Sequence, residues 1–367
     1  MERSRKEGHN GNTGRMAAGC ILFAVSLLLL YAARRSAGMA DWYSEHIYRK
    51  LVGTVGRISG LFSFSLSEAG LYILVICLGI WAARTMLRVL RRQEGKTAAL
   101  RFATGIFLMA GILFFLYTIN CGINYERTSF SESEGIQTKE YTVQELEEVC
   151  RWLTGEVNES AGLVSRNEDK VMMLDEGLKE GAVSAMQSLG EIYPDLEGYY
   201  PVPKGLKNSW ILSVQNLTGV YSPFTIEANY NSAMTDYNIP FTACHELSHL
   251  RGFMQEQEAN FIGWLACMHS PRPDFQYSGR LMGWIYCMNL LQKTDYDVYR
   301  EVRAELSAEV EPDLQANHKF WEKYDGRIAE VANEVNDTYL KANGQKEGVK
   351  SYDKMVDLIV AYYYSLR

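Results

Sequence analysis

Phe241-Thr242-Ala243-Cys244-His245-Glu246-Leu247-Ser248-His249-Leu250-Arg251-Gly252 is the stretch on which the reading of this chain turns. Thr242, coming after Pro240, suits a helix N-cap, and Gly252 suits a helix end. Between them His245 and His249 stand four residues apart. On a helix that spacing puts both imidazoles on one face, where they can share one zinc ion. Glu246 follows the first of them. It is placed to take a proton from a water at an open coordination position and to hand it later to a leaving amine. The chain has six histidines in 367 residues, so a chance HExxH is rare, below roughly 5%.

A catalytic zinc takes three protein ligands and keeps a further position open. Residues 255–264 (QEQEANFIGW) stand just downstream. A chain reversal at Gly252 lets them open a second helix beside the first. Glu256 and Asn260 are four apart and share a face of it. Glu256 is expected as the third ligand, and Asn260 as the residue that orients a ligand histidine from behind. Gly263 and Cys267 continue that face with small side chains, which favours close packing. Glu258, about 200° around the helix from Glu256, is the alternative ligand. His269 lies off the face and reads as structural.

Taken together, HELSH (245–249) and EQEAN (256–260) resemble the glutamate-type zincins, in which HExxH is followed by a helix carrying ExxxD or ExxxN. The resemblance implies the same roles for Glu256 and Asn260. Membrane-bound zincins related to the CAAX prenyl proteases carry a similar ExxAD. Here Asn260 stands in place of Asp, and the interval from His249 to Glu256 is short for that group. A closer likeness is to an uncharacterised domain-of-unknown-function family of bacterial polytopic membrane zincins. It is carried by the membrane spans and by residues 219–229 (GVYSPFTIEAN), 240–242 (PFT), HELSHLRGF, EQEANFIGW, 275–279 (FQYSG) and 348–352 (GVKSY). It implies a multi-pass protein of the bacterial cell membrane with one Zn2+ ion.

Zincins also present a Tyr or His donor to the oxyanion. Tyr277, expected in a break after the second helix, is the candidate, with Tyr221, Tyr230 and Tyr286 as alternatives. Residues 221–229 read either as a sheet edge able to hold an extended peptide as an added strand or as an ordinary sheet strand. Glu227 within them reads as a surface carboxylate. Tyr362, Tyr363 and Tyr364 read as packing on a C-terminal helix.

Outward from the motif, the chain changes character. Residues 1–127 hold 16 Lys and Arg against 7 Asp and Glu, and the remainder holds 21 against 37, which gives +9 and −16 and the net −7 of the whole. The basic part is also the apolar part, so its charge suits lipid headgroups. An acidic second part argues against nucleic acid as a partner. Three apolar runs, about 16–33, 69–87 and 102–119, approach the ~20 residues that cross a bilayer. Arg84, Arg88, Arg91, Arg92, Lys96 and Arg101 between the second and third point to the cytoplasm, as do Arg3, Arg5, Lys6 and Arg15. Residues 128–367 are then extracytoplasmic. Residues 42–64 mix aromatic, basic and apolar side chains, as an interfacial amphipathic helix or a plain loop does. Seven cysteines without a CxxC pair read as free and buried.

In the second part, Thr142-Val143-Gln144-Glu145 is a capping-box sequence for a helix to about Asn158. Helical periodicity resumes over 168–189. Residues 195–209 read as a loop, 210–230 as a small sheet, and the rest as helices with a break at 270–278. The fold class expected is α+β and mainly helical: a three-helix transmembrane region in 1–127, then a zincin-like metallopeptidase domain with a small sheet in 128–367. The function expected is a membrane-anchored zinc metallopeptidase acting on peptide or membrane-proximal protein substrates. The alternative is a non-enzymatic membrane sensor or scaffold with a zinc-binding domain. Glu246 favours the enzyme, since structural metal has no use for it. The polar surroundings of the motif argue against an intramembrane protease.

Overall fold

The computed structural model describes residues 2–91, 95–349 and 354–367. Arg92 of the basic run and 350–352 of the quoted motifs lie outside the described residues. The chain is mainly helical, with three helices of membrane-spanning length near its N-terminus and a three-stranded sheet. It divides into two compact units. One holds Met1–Tyr48, Leu66–Arg127 and Pro223–Thr225; the other holds Arg49–Ser65, Thr128–Ser222 and Ile226–Arg367.

In the first unit, α1 (Glu2–Arg35), α2 (Leu66–Leu90) and α3 (Gly95–Asn120) contain the apolar spans. They run beyond the expected limits, α1 through the polar residues 2–15, α2 through 66–68 and 88–90, and α3 through 95–101. Leu27, Leu28, Ile73, Val75 and Ile76 face outward, as on helices whose solvent is lipid. At the α1–α3 crossing a Cβ on Gly111 would lie 3.3 Å from the Gly19 carbonyl oxygen, the close backbone approach that small residues allow. Cys20 and Cys77 are exposed on these helices, contrary to the expectation of burial. An apolar thiol costs nothing on a lipid face. The other five cysteines are buried, and all seven are free.

The second unit takes in Arg49–Ser65, although α1 and α2 bracket that segment in sequence. Short π- and α-helical turns, Val52–Gly56 and Arg57–Gly60, bury Val52, Gly56 and Ser59. Lys204 Nζ donates to the Ser59 carbonyl at 2.7 Å. Helix α4 (Val143–Ala161) opens on the expected capping box: Thr142 Oγ1 accepts from Glu145 N–H, and the Glu145 carboxylate accepts from Thr142 N–H. Helix α5 (Leu178–Ile192) starts later than the periodicity from residue 168 implies. The Asn167 side chain accepts from Val171 N–H, and Arg166 bridges to Met172, which folds those residues into a turn.

Strands β1 (Lys204–Gly205), β2 (Gly219–Ser222) and β3 (Glu227–Tyr230) form a sheet of order β1-β3-β2. Asn229 lies opposite Lys204 in the parallel pair and opposite Val220 in the antiparallel pair. All four β3 residues are buried. Glu227, expected at the surface, is among them, because it forms an ion pair with the equally buried Lys204. A buried carboxylate needs such a partner.

The remaining helices are α6 (Asn238–His249), α7 (Glu256–Met268), α8 (Pro273–Thr294), α9 (Tyr296–Arg303), α10 (Glu311–Glu322), α11 (Arg327–Ala342) and α12 (Met355–Ser365). Every residue of α6 is buried, against α5, α7, α8, β2 and β3. It starts at Asn238, so Thr242 is inside it and is not its cap. Pro240 falls in the first turn, where a missing N–H breaks no helical bond. The end is as expected: Gly252, at φ +88°, gives its N–H to the His249 carbonyl at 2.9 Å. The break after α7 is shorter than 270–278, because Pro273 at the first position restarts the helix.

Candidate metal centre

Helices α6 and α7 meet where Gly263 faces His245. A Cβ there would lie 2.9 Å from the His245 nitrogen. This contact brings the ends of two helices together. His245 and His249 project from α6, and Glu256, the first residue of α7, projects between them. Glu256 Oε2 is 3.4 Å from His245 Nε2 and 3.9 Å from His249 Nε2. One ligand atom from each residue lies within 4.8 Å of the others, and all three residues are buried.

The histidines are held differently. His249 Nδ1 is 2.8 Å from the Phe253 carbonyl oxygen. A carbonyl only accepts, so Nδ1 carries the proton and Nε2 presents its lone pair to the site. Burial drives the His249 pKa down to about 4, against the pull of Glu256. It is therefore a neutral ligand at physiological pH. For His245 burial also disfavours the charged form, but hydrogen bonding with Glu256 and the charges of Glu246 and Glu256 prevail and raise its pKa. Asn260 lies near enough to contribute to that rise. Nevertheless neither His245 Nδ1 nor Asn260 Nδ2 completes a hydrogen bond among the described residues.

Glu246 stands beside the ligand group. Its Oε1 is 4.0 Å from His245 Nε2, and its Oε2 is buried without a partner among the described residues. Burial pushes its pKa up to about 8; His245 opposes that rise and Glu256 adds to it. Strand β2 closes over it. A Cβ on Gly219 would collide with Glu246 Oε1 and lie 2.8 Å from Thr242 Cγ2. Gly219 was not picked out in the sequence. A glycine opening a β-branched and aromatic run is the signal that could have found it, since strand glycines mark close approaches.

The alternative ligand is otherwise engaged. Glu258 accepts from Ser131 N–H at 2.9 Å and from Ser131 Oγ at 2.8 Å, and it is not in the clustered group. Tyr277 is corrected as the oxyanion donor. It is fully buried within α8, its hydroxyl donates to Asp313, and Arg166 stacks over its ring. Its proton is committed to a carboxylate. Among the alternatives, Tyr221 on β2 has its ring centroid 6.1 Å from that of His249. Tyr230 packs with Met234 and Ile239, and Tyr286 lies against Phe241. His269 meets the Tyr362 hydroxyl at 3.3 Å, while Tyr363 packs on Trp152.

Two nitrogens and a carboxylate oxygen are a donor set that suits zinc. At metal–ligand bonds of about 2.0–2.2 Å, a tetrahedral ion wants its donors about 3.3 Å apart. The observed separations come within reach of that by small side-chain rotations. A dication would also relieve the mutual repulsion of Glu246 and Glu256 and give the unpartnered Glu246 oxygen a counter-charge. The residues present therefore fit a metal ion.

Nothing among curated proteins or solved structures matches the chain. A family model does match, over residues 43–360. That range takes in α2, α3, the sheet, α6 and α7, so the chain belongs to the family described as "Protein of unknown function (DUF3810)".

Proposed function

We propose that this chain is a membrane-anchored zinc metallopeptidase that hydrolyses peptide bonds outside the cytoplasm. The observation that carries this reading is Glu246: a buried carboxylate one residue from His245, beside the ligand group but not needed to complete it. Zinc held by His245, His249 and Glu256 would supply Lewis acidity, bringing the pKa of a bound water towards neutrality and polarising a carbonyl. Glu246 accepts the proton from water at its carboxylate and returns it to the leaving amine. Burial raises the pKa of the Glu246 carboxyl, which strengthens it as a proton acceptor. Phe253 fixes the His249 tautomer, and Asn260 is the orienting partner available to His245. An extended peptide added along the outer strand β2 would lie close to Glu246, whose carboxylate reaches that strand at Gly219, where the missing side chain leaves it room. Tyr221, whose ring stands 6.1 Å from that of His249, is the candidate oxyanion donor.

The membrane arrangement is supported by parity. Ser59 and Lys204 bond each other, so Arg49–Ser65 and the second unit share a side of the membrane. Helices α2 and α3 must then both span or both not span. The basic residues between them put that turn in the cytoplasm. A reporter fused after residue 130 should be active only outside, and activity confined to the cytoplasm overturns the orientation.

The test of the reaction is Glu246→Gln in the purified full chain. Zinc content should stay at about one ion per chain, while cleavage of a peptide library falls by roughly 10²–10⁴. Cleavage that survives the substitution removes the proposal. A wild-type protein that binds zinc and cleaves nothing supports the sensor reading.

A further inference from the structure

The segment that joins α1 to α2 exposes a dense apolar surface. Ile58 is 61% exposed, Leu61 82%, Phe62 40% and Phe64 39%. A water-facing surface rarely gathers large apolar side chains so closely. Their position in the chain says what covers them. Helix α2, apolar enough to cross a bilayer, begins at Leu66. Phe64 stands two residues earlier, so it lies within about 7 Å of that point. Cations accompany the aromatics: Lys207 Nζ is 5.9 Å from the Phe64 ring centroid, and Arg57 lies over the Tyr199 ring at 4.4 Å. Basic stems alongside aromatic rings are the composition of the headgroup level.

The same segment is fixed to the candidate cleft. Ser59 accepts from Lys204, and Lys204 is paired with Glu227; both charged side chains are buried. Gly56 packs on Pro201 and Ile226. Glu227 opens β3, β3 pairs with β2, and β2 meets Glu246 at Gly219. Each step of this path is a hydrogen bond, an ion pair, a strand pairing or a packing contact within the second unit.

We infer that Ile58, Leu61, Phe62 and Phe64 are immersed in the headgroup–acyl boundary of the bilayer. Through Lys204 they hold Glu246 and its neighbours at a set height above it. The substrates are then peptide segments close to the lipid surface; this last clause rests on the peptidase reading. The Lys204–Glu227 pair acts as a positioning device, with no part in the chemistry.

The full chain in phosphatidylcholine vesicles tests both parts. Leu61→Cys is labelled with an environment-sensitive fluorophore in a background where the exposed Cys20 and Cys77 are changed to Ala. Its emission should shift to the blue and be quenched by lipids carrying a nitroxide near the headgroup. Water-like, unquenched emission overturns the docking surface. A peptide library is then offered free in solution and anchored to the vesicles by an acyl chain. The wild type should favour the anchored form, and Leu61→Asp with Phe64→Asp should lower that preference by roughly tenfold: the spanning helices still hold the chain on the vesicle, but the cleft no longer stands at the height of the anchored segment. Leu61 and Phe64 are surface residues, so the double variant keeps the core intact. Equal preference in wild type and variant overturns the fixed height even where cleavage occurs. Cleavage of neither library removes the peptidase reading, and the fluorophore still decides the docking surface.

Discussion

Two buried polar clusters lie in the second unit, and they are built on opposite terms. Around Asp313 every charge has its answer. Its Oδ1 accepts from Met172 N–H at 2.6 Å, and its Oδ2 accepts from Arg166 at 2.9 Å and from the Tyr277 hydroxyl. Arg166 gives its other protons to the carbonyls of Ala161 and Lys170. Around Glu246 the answers are missing. Two carboxylates face two imidazoles, and the groups that shift Glu246 include neither Lys nor Arg among the described residues. One of its oxygens is unpartnered. A cluster that satisfies itself holds a fold together. A cluster that leaves buried acceptors facing one another invites a counter-charge, which a divalent cation would supply.

Removing the cation should have the largest effect. Glu256→Gln should abolish stoichiometric zinc binding by elemental analysis, and with it all cleavage, whereas Glu258→Gln should keep the metal. The reverse pattern would hand the ligand role to Glu258. Stripping zinc from the wild type should also lower the unfolding temperature, since a ligand at a thousand times its Kd stabilises by about 4 kcal/mol.

Asp313→Ala attacks the self-satisfied cluster. It leaves the Arg166 charge uncompensated, for a loss of roughly 3–5 kcal/mol in denaturant unfolding. Zinc content of the folded fraction should not change; a loss of zinc would mean that the clusters are coupled. The two tyrosines divide along the same line. Tyr221→Phe should lower kcat by roughly 10²-fold, as the loss of an oxyanion donor does, with stability held. Tyr277→Phe should leave kcat alone and cost about 1.5–3 kcal/mol of stability, because it removes one bond to a buried carboxylate. An exchange of these outcomes would restore Tyr277 to the chemistry.

The contrast also marks where the sequence could be read. His245, Glu246 and His249 were legible because helix geometry alone puts them on one turn, and Gly252 and the Thr142–Glu145 box because caps are local. Glu256 followed once a chain reversal was assumed. Tyr277 was misplaced because Pro273 restarts the helix and its partner Asp313 is 36 residues away; no local pattern carries that pairing. Lys204 and Glu227 were invisible as a buried pair, since lysine and glutamate are ordinarily exposed and only the β1–β3 register brings them together. The affiliation of Arg49–Ser65 with the second unit is likewise a long-range fact.

Gly263 has a consequence for the choice of ion. With no side chain there, α7 lies 2.9 Å from the His245 nitrogen and 3.1 Å from its Cα, measured from where a Cβ would stand. Main chain against main chain thus sets the span from the histidine pair to Glu256. Zinc asks for four donors at about 2.0–2.1 Å, while calcium takes six to eight at about 2.3–2.6 Å. In the proposed zinc site, a residue that touches no cation would thus set the reach of the ligands, and a methyl group at Gly263 would push the two helices apart and stretch that reach towards a larger ion.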